Sequence, residues 1–510
     1  MELLPDTPLI RMMQHLSVDD LLACRLVSKR IGAAALHPDA WLHQRLGRSK
    51  IPGDANKCVC PVLRFAPHLD ELGEFLTPRP APCRLADFPV RCAVAELAVS
   101  VCEDADAAAD TLELVRRQAA LGRLRSLTVR LYGLAPGGAA VETVVSTPGL
   151  EHLDVGVHYT TGGRIVELPA MAAPALHTVR HFECNLSTKT EAFVNSILAE
   201  HATTLERVNL SDDHRDLLSL TSTAPLLAAM THLRELECAA LPGLRVLASC
   251  ESLRVLRLTF CIDIRHKGVA EDAVELLRDA VQLREVTLSF KPDVGYHSSS
   301  GTCVGEFCLA AIPALASSRE SRVEKLVVHN SVRSMFSNVD PRMARSFLRG
   351  LPQRRPRSAL LQPLTMALPS LLALRHLSTD EDPDLLLAAV SPASAPALRS
   401  VGVILLDEVC AHAWLHGDTV QTVLDANPSL HIELSARTLC CSEPLRPSCE
   451  RACALGCHQV LAELVEGDAQ LVEDERRLDW HLGLFSHGPG ECSHVHKTEG
   501  QRQRLWIHIP

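Results

Sequence analysis

Two hydrophobic rhythms run along this chain, a short helical one and a longer one that recurs for several hundred residues. Over the first 46 residues, apolar positions fall at helical spacing. Leu9, Ile10, Met13 and Leu16 form one stripe, and Leu21, Leu22, Leu26, Val27 and Ile31 form a second. Leu36, Trp41 and Leu46 close a third short element after Pro38. Ser17-Val18-Asp19-Asp20 reads as an N-cap with an acidic residue in the capping-box position. Three small helices are predicted, too short a chain to bury all of its own Leu residues, so part of the apolar surface is expected to face a partner.

After a stretch containing Pro52-Gly53-Asp54, the second rhythm begins: apolar, two others, apolar, one other, and often a third apolar residue. It appears at Leu69/Leu72, Val94/Leu97/Val99, Leu124/Leu127/Val129, Leu150/Leu153/Val155, Leu176/Val179, Leu205/Val208/Leu210 and Leu233/Leu236/Cys238. It continues at Leu253/Leu256/Leu258, Leu283/Val286/Leu288, Val323/Leu326/Val328, Leu374/Leu377 and Leu398/Val401/Val403. First positions from Leu69 to Leu233 are separated by 25, 30, 26, 26, 29 and 28 residues. A period in the twenties is the signature of a leucine-rich repeat, in which each unit supplies one short strand and one returning segment. The returns at 109–120, 190–201 and 269–281 have apolar residues at helical spacing. The steps lengthen to 40 residues between Leu283 and Val323 and to 51 between Val323 and Leu374, placing insertions at Lys291–Val304 and Ser346–Ser358 that are candidate partner contacts.

Composition changes this picture little. With 510 residues, 47% hydrophobic and 22% charged, the chain is of ordinary globular composition and too long for one compact core. A formal net charge of −10 gives no case for nucleic acid, no apolar run approaches the roughly 18 residues of a membrane span, and Glu2 and Asp6 precede any apolar run, so no secretory signal is expected. The 19 Cys, an odd number at low density, favour reduced thiols in a cytoplasmic or nuclear protein. An Arg-rich insertion with Arg345, Arg349, Arg354, Arg355 and Arg357 reads as a solvated loop, with an anion patch as the sharper alternative.

Candidate chemistry gathers near the C-terminus. Cys449, Cys453, Cys457 and His458, followed by His481, His487, Cys492, His494 and His496, offer thiolates and imidazoles that suit zinc. Their spacing lacks a Cys-x-x-Cys pair, and the three Cys continue into Val460, Leu461 and Leu464 as one helical stripe, so a terminal cap on the repeats is the preferred reading, with no metal assigned. No phosphate-binding loop, nucleophile elbow or His-Glu-x-x-His helix is present, so no catalytic residue and no cofactor are expected.

The first block carries a resemblance. Leu4-Pro5, Asp20-Leu21-Leu22, Val27-Ser28-Lys29-Arg30 and Trp41 stand in the order and at roughly the spacing of the F-box, with Met12-Met13 and Ile31 where the family favours aromatics. Together with the repeats, the chain resembles the F-box/leucine-rich-repeat substrate receptors of Skp–cullin–F-box ubiquitin ligases. The resemblance implies an α/β chain: a three-helix F-box over 1–48, a linker over 49–62, a curved leucine-rich-repeat solenoid of short parallel strands over 63–434, and a Cys/His-containing cap or tail over 435–510. It implies docking on the Skp adaptor, and through it on cullin and RING subunits, by Leu4, Pro5, Leu9, Ile10, Leu16, Leu21, Leu22, Val27 and Trp41. The repeats would hold a protein substrate whose identity the sequence leaves open, and the chain itself would be non-catalytic. The alternative is a leucine-rich-repeat scaffold that does not assemble with cullin.

Overall fold

A computed structural model describes residues 5–46, 59–75, 89–133, 136–158, 166–170, 178–210, 220–262, 267–292, 309–318, 320–330, 360–405, 414, 417–436, 480–488, 492 and 504–508. The chain divides into two compact units, Met1–Leu233 and Arg234–Pro510, each an α/β arrangement on an open sheet.

The first unit begins with α1 (Asp6–Met13), α2 (Val18–Cys24) and α3 (Lys29–Ala35), followed by a single 3-10 turn at Pro38–Trp41. Ser17 caps α2 by accepting the Asp20 amide at 3.2 Å. The second predicted stripe does not run as one helix to Ile31. Ser28 takes an extended conformation and caps a new helix by accepting the Ile31 amide, so Leu26 and Val27 fall in the turn between α2 and α3. The chain then adds β1 (Arg45–Leu46), α4 (Cys60–Phe65), β2 (His68–Phe75), β3 (Ala93–Val101), α5 (Ala105–Leu121), β4 (Ser126–Tyr132), α6 (Gly137–Val145), β5 (His152–His158), β6 (His181–Cys184), α7 (Glu191–Glu200), β7 (Arg207–Leu210) and α8 (Thr223–Ala228). Helix α4 occupies the end of the segment read as a linker. The longest return, α5, starts at the Asp104 N-cap and stops at Gly122, whose φ of 72° is the left-handed conformation a helix end favours.

Every strand in this unit pairs parallel with its sequence neighbour. The register stacks Leu72, Leu97, Leu127, Leu153, Phe182 and Val208 in one row and Val99, Val129, Val155 and Cys184 in another. All ten side chains are buried. A lone rung would leave them in water; stacking covers each by its neighbours, at about 1.5–3 kcal/mol per fully buried side chain.

The second unit repeats the scheme with β8 (Glu235–Ala239), β9 (Val255–Ile262), α9 (Lys267–Asp279), β10 (Glu285–Pro292), α10 (Ala311–Ser317), β11 (Lys325–Asn330), α11 (Leu361–Ala367), β12 (His376–Thr379), α12 (Pro383–Ala389), β13 (Ser400–Leu405), α13 (Asp418–Ala426), β14 (His431–Ala436), β15 (Trp480–Phe485) and β16 (Arg504–His508). Here the row is Leu236, Leu256, Val286, Leu326, Leu377, Val401 and Ile432. The helices line up beside one another, α9 against α10, α10 against α11, α11 against α12 and α12 against α13.

The strand at 431–436 extends the parallel series across the boundary expected at residue 434. Two further strands follow that the repeat did not foretell: β15 pairs antiparallel to β14, and β16 parallel to β15, carrying the apolar row on through Leu484 and Ile507.

Main-chain stitches fix the start of each rung. The Arg125 carbonyl accepts the amides of both Glu151 and His152, Glu151 those of Arg180 and His181, and Arg180 those of Glu206 and Arg207, all at 2.8–3.0 Å. In the second unit the carbonyls of Arg234, Arg254, Arg284, Glu324 and Arg375 do the same. Gln118, fully buried in α5, adds a side-chain stitch: its Oε1 accepts the Val94 amide at 2.9 Å and its Nε2 donates to the Cys92 carbonyl at 2.8 Å.

Candidate functional site

The N-terminal module is built around Trp41. Its indole is wholly buried and donates to the Ala35 carbonyl at 2.7 Å, tying the 3-10 turn to the end of α3. Leu9 and Met13 of α1 and Leu21 of α2 are also buried. Gln44 donates to the carbonyls of Gln14 and Leu16 at 3.1 Å, and Arg30 of α3 pairs with Asp6 of α1 at 3.0 Å. The module then continues straight into β1, which pairs with β2, while Arg25 lies 3.7 Å over the Phe65 ring of α4. The three helices are thereby seated on the first edge of the sheet.

The described docking residues expected from the sequence separate into three sets by burial. Leu9, Leu21 and Trp41 are buried within the module; Ile10, Leu16 and Leu22 are half-buried; Pro5 and Val27 are exposed. Leu4 lies outside the described residues. Three further side chains that were not among the expected docking residues stand in solvent: Leu26 at 77% exposure, Met12 at 52% and Leu42 at 39%, beside Val27 at 66%. Among the described residues, four of nine exposed large apolar side chains therefore fall between residues 12 and 42. Leu26 continues the helical period of the second stripe, so sequence reasoning missed its exposure; only the cap at Ser28, two residues on, breaks that period.

On the sheets, the basic residues beside the strands are engaged by their neighbours. Arg125 pairs with Glu151 at 3.7 Å, Arg284 with Glu324 at 2.8 Å, and Arg257 with Glu235 and Glu237 at 3.8 and 3.9 Å. Arg254 donates to the Glu251 carbonyl at 2.6 Å. Arg130 makes a two-pronged contact with Asp154 at 2.9 and 2.6 Å; burial pushes the Asp154 carboxyl up, with Arg130 acting against that rise. A second acidic cluster lies at the ends of β11 and β12, where both carboxylate oxygens of Asp380 accept the Asn330 amide at 2.7 and 2.8 Å and Glu381 accepts from the Asn330 side chain at 3.2 Å. These partners make the strand-edge charges internal to the sheets.

Thiol chemistry is suppressed where the sheets bury it. Burial pushes the Cys92 thiol up to about 12 and raises that of Cys184, the latter also because the Asp154 carboxylate is near. Neither is poised as a nucleophile.

For metal, the structure brings together residues the sequence left scattered. One ligand atom each from His431, His487 and Cys492 lie within 4.8 Å of one another. Cys449, Cys453, Cys457 and His458, together with His494 and His496, lie outside the described residues, as do Ser346–Ser358 and all but the first two residues of Lys291–Val304. Among the described residues, no helix is long and apolar enough to cross a membrane. No protein-family model matches the chain, and no curated protein matches it.

Proposed function

We propose that this chain is the substrate-recognition subunit of a Skp–cullin–F-box ubiquitin ligase, its first three helices an F-box and its stacked strands a leucine-rich-repeat array. The observation that carries the reading is the pair Leu26 and Val27, two large aliphatic side chains standing in solvent at a turn of a module whose core Trp41 has already filled. A folded module spends such surface on a partner. The motif Leu4-Pro5 … Asp20-Leu21-Leu22 … Val27-Ser28-Lys29-Arg30 … Trp41 names that partner as the Skp adaptor, and the repeat period supplies the array that holds a protein substrate.

The function is then positioning. The adaptor links the chain to cullin and to a RING-bound conjugating enzyme, the array holds the substrate, and the high local concentration of substrate lysines near the charged enzyme does the rest. No residue of this chain touches the reacting atoms.

The test is titration of the purified full chain with a Skp adaptor, beside the double substitution Leu26→Asp, Val27→Asp. Wild-type binding that falls at least 100-fold in the double variant, with unchanged far-ultraviolet dichroism, supports the reading; absence of wild-type binding overturns it. Adaptor binding without cullin in the recovered complex would identify the scaffold alternative.

A further inference from the structure

We propose that His431, His487 and Cys492 form a metal site suited to zinc, tying the last parallel strand to the segments that follow it, independently of any ligase role. His431 opens β14, His487 follows β15 by two residues, and Cys492 lies 61 residues beyond His431. The Cys492 Sγ stands 3.7 Å from the Nε2 of His431, and the two imidazoles meet edge to face with centroids 4.9 Å apart. In a tetrahedral zinc site, bonds of about 2.0 Å to nitrogen and 2.3 Å to sulfur put neighbouring donors roughly 3.3–3.6 Å apart. The thiol–imidazole pair is already near that separation.

The surroundings of the two rings strengthen the assignment. His487 Nδ1 is 3.0 Å from the Pro428 carbonyl and His431 Nδ1 is 3.2 Å from the Arg399 carbonyl. A carbonyl can only accept, so each Nδ1 carries a proton and donates it, and in the neutral ring each Nε2 carries the lone pair. Metal-binding histidines are oriented in this way, with the ring nitrogen opposite the metal donating to a backbone carbonyl or carboxylate. Both rings are buried. On metal entry Cys492 loses its proton to solvent and binds as thiolate, leaving a fourth position for water or a further donor.

The site would also answer a structural need. β14 and β15 pair antiparallel at the end of the second unit's sheet, and a metal gripping one residue of β14 and two beyond β15 would clamp that pair. It differs from the Cys449, Cys453, Cys457 and His458 set, whose spacing did not favour a metal site, and the two sets are separable by experiment.

The experiment is cobalt titration of the metal-depleted full chain, followed by displacement with zinc. One saturable equivalent with a thiolate-to-cobalt charge-transfer band is expected. Cys492→Ser should abolish the band, and His487→Gln should weaken binding by at least about tenfold. The triple Cys449→Ser, Cys453→Ser, Cys457→Ser variant should keep the band. Should Cys492→Ser fail to fold, Cys492→His decides: binding retained with the band lost supports the site. No cobalt bound by the wild type, or a band that survives Cys492→Ser and disappears in the triple variant, overturns it.

Discussion

The Trp41 indole donates to the Ala35 carbonyl at 2.7 Å, closing the 3-10 turn onto the helix that precedes it. Trp41 is the largest fully buried side chain of the N-terminal module. Trp41→Ala should remove about 3–5 kcal/mol of local stability, whereas Trp41→Phe keeps the packing and should lose only about 1 kcal/mol. Hydrogen exchange of the amides in residues 6–41 checks both values, and equal protection in the two variants would contradict the role given to the ring.

Gly32 separates two ways of predicting a helix substitution. Helix propensity favours Ala over Gly by about 1 kcal/mol. In this molecule a Cβ at residue 32 would sit 2.7 Å from the Arg25 carbonyl oxygen, because α3 crosses close to the end of α2. Gly32→Ala should therefore destabilise the module by about 1–3 kcal/mol, as overpacking does, measured by the same local exchange.

Gln118 serves two main-chain groups from inside α5. Replacing it with Leu leaves the Val94 amide and the Cys92 carbonyl buried and unanswered, at a cost of about 2–4 kcal/mol together. Urea unfolding that reports the first unit should show the midpoint falling in Gln118→Leu.

His68 opens β2 beside Asp70 and Arg123. Burial lowers its pKa below 6.5, Arg123 adds to the fall and Asp70 opposes it. Between the folded value and 6.5 the unfolded chain binds more protons than the folded one, so stability rises with pH through that window. The contribution is fully present above 6.5 and is lost as pH falls below it. The stability difference between wild type and His68→Gln should follow that direction in unfolding curves taken across the window; a difference flat with pH would refute it.

How far the fold could be read from the chain varied with the kind of signal. The strand positions were legible because the same face is buried rung after rung: Leu127, Leu153, Leu256 and Leu377 all lie where apolar-x-x-apolar puts them, and all are buried. The break between α2 and α3 was not, since Leu26, Val27 and Ile31 continue a helical period that only the cap at Ser28 interrupts. The last two strands stand outside the parallel scheme, so no repeat announced β15 or β16. Of the His431, His487 and Cys492 cluster, the sequence offered His487 and Cys492 among its candidate ligands, while His431 was hidden for a related reason. Strand pairing, not sequence spacing, brings residue 431 to residue 487, 56 positions on, so the C-terminal Cys/His set read from the sequence did not include it.

The rung-to-rung stitches described above are made by main-chain carbonyls and amides, from the Arg125 carbonyl through to that of Arg375. Register is thus written in atoms that every residue type but proline possesses. Side chains between the buried rows, such as Thr128, Thr287 and Ser378, carry none of that duty. They form an alphabet that can be rewritten position by position while the lattice beneath it stays the same, so the surface of such a chain can change without its learning to fold again.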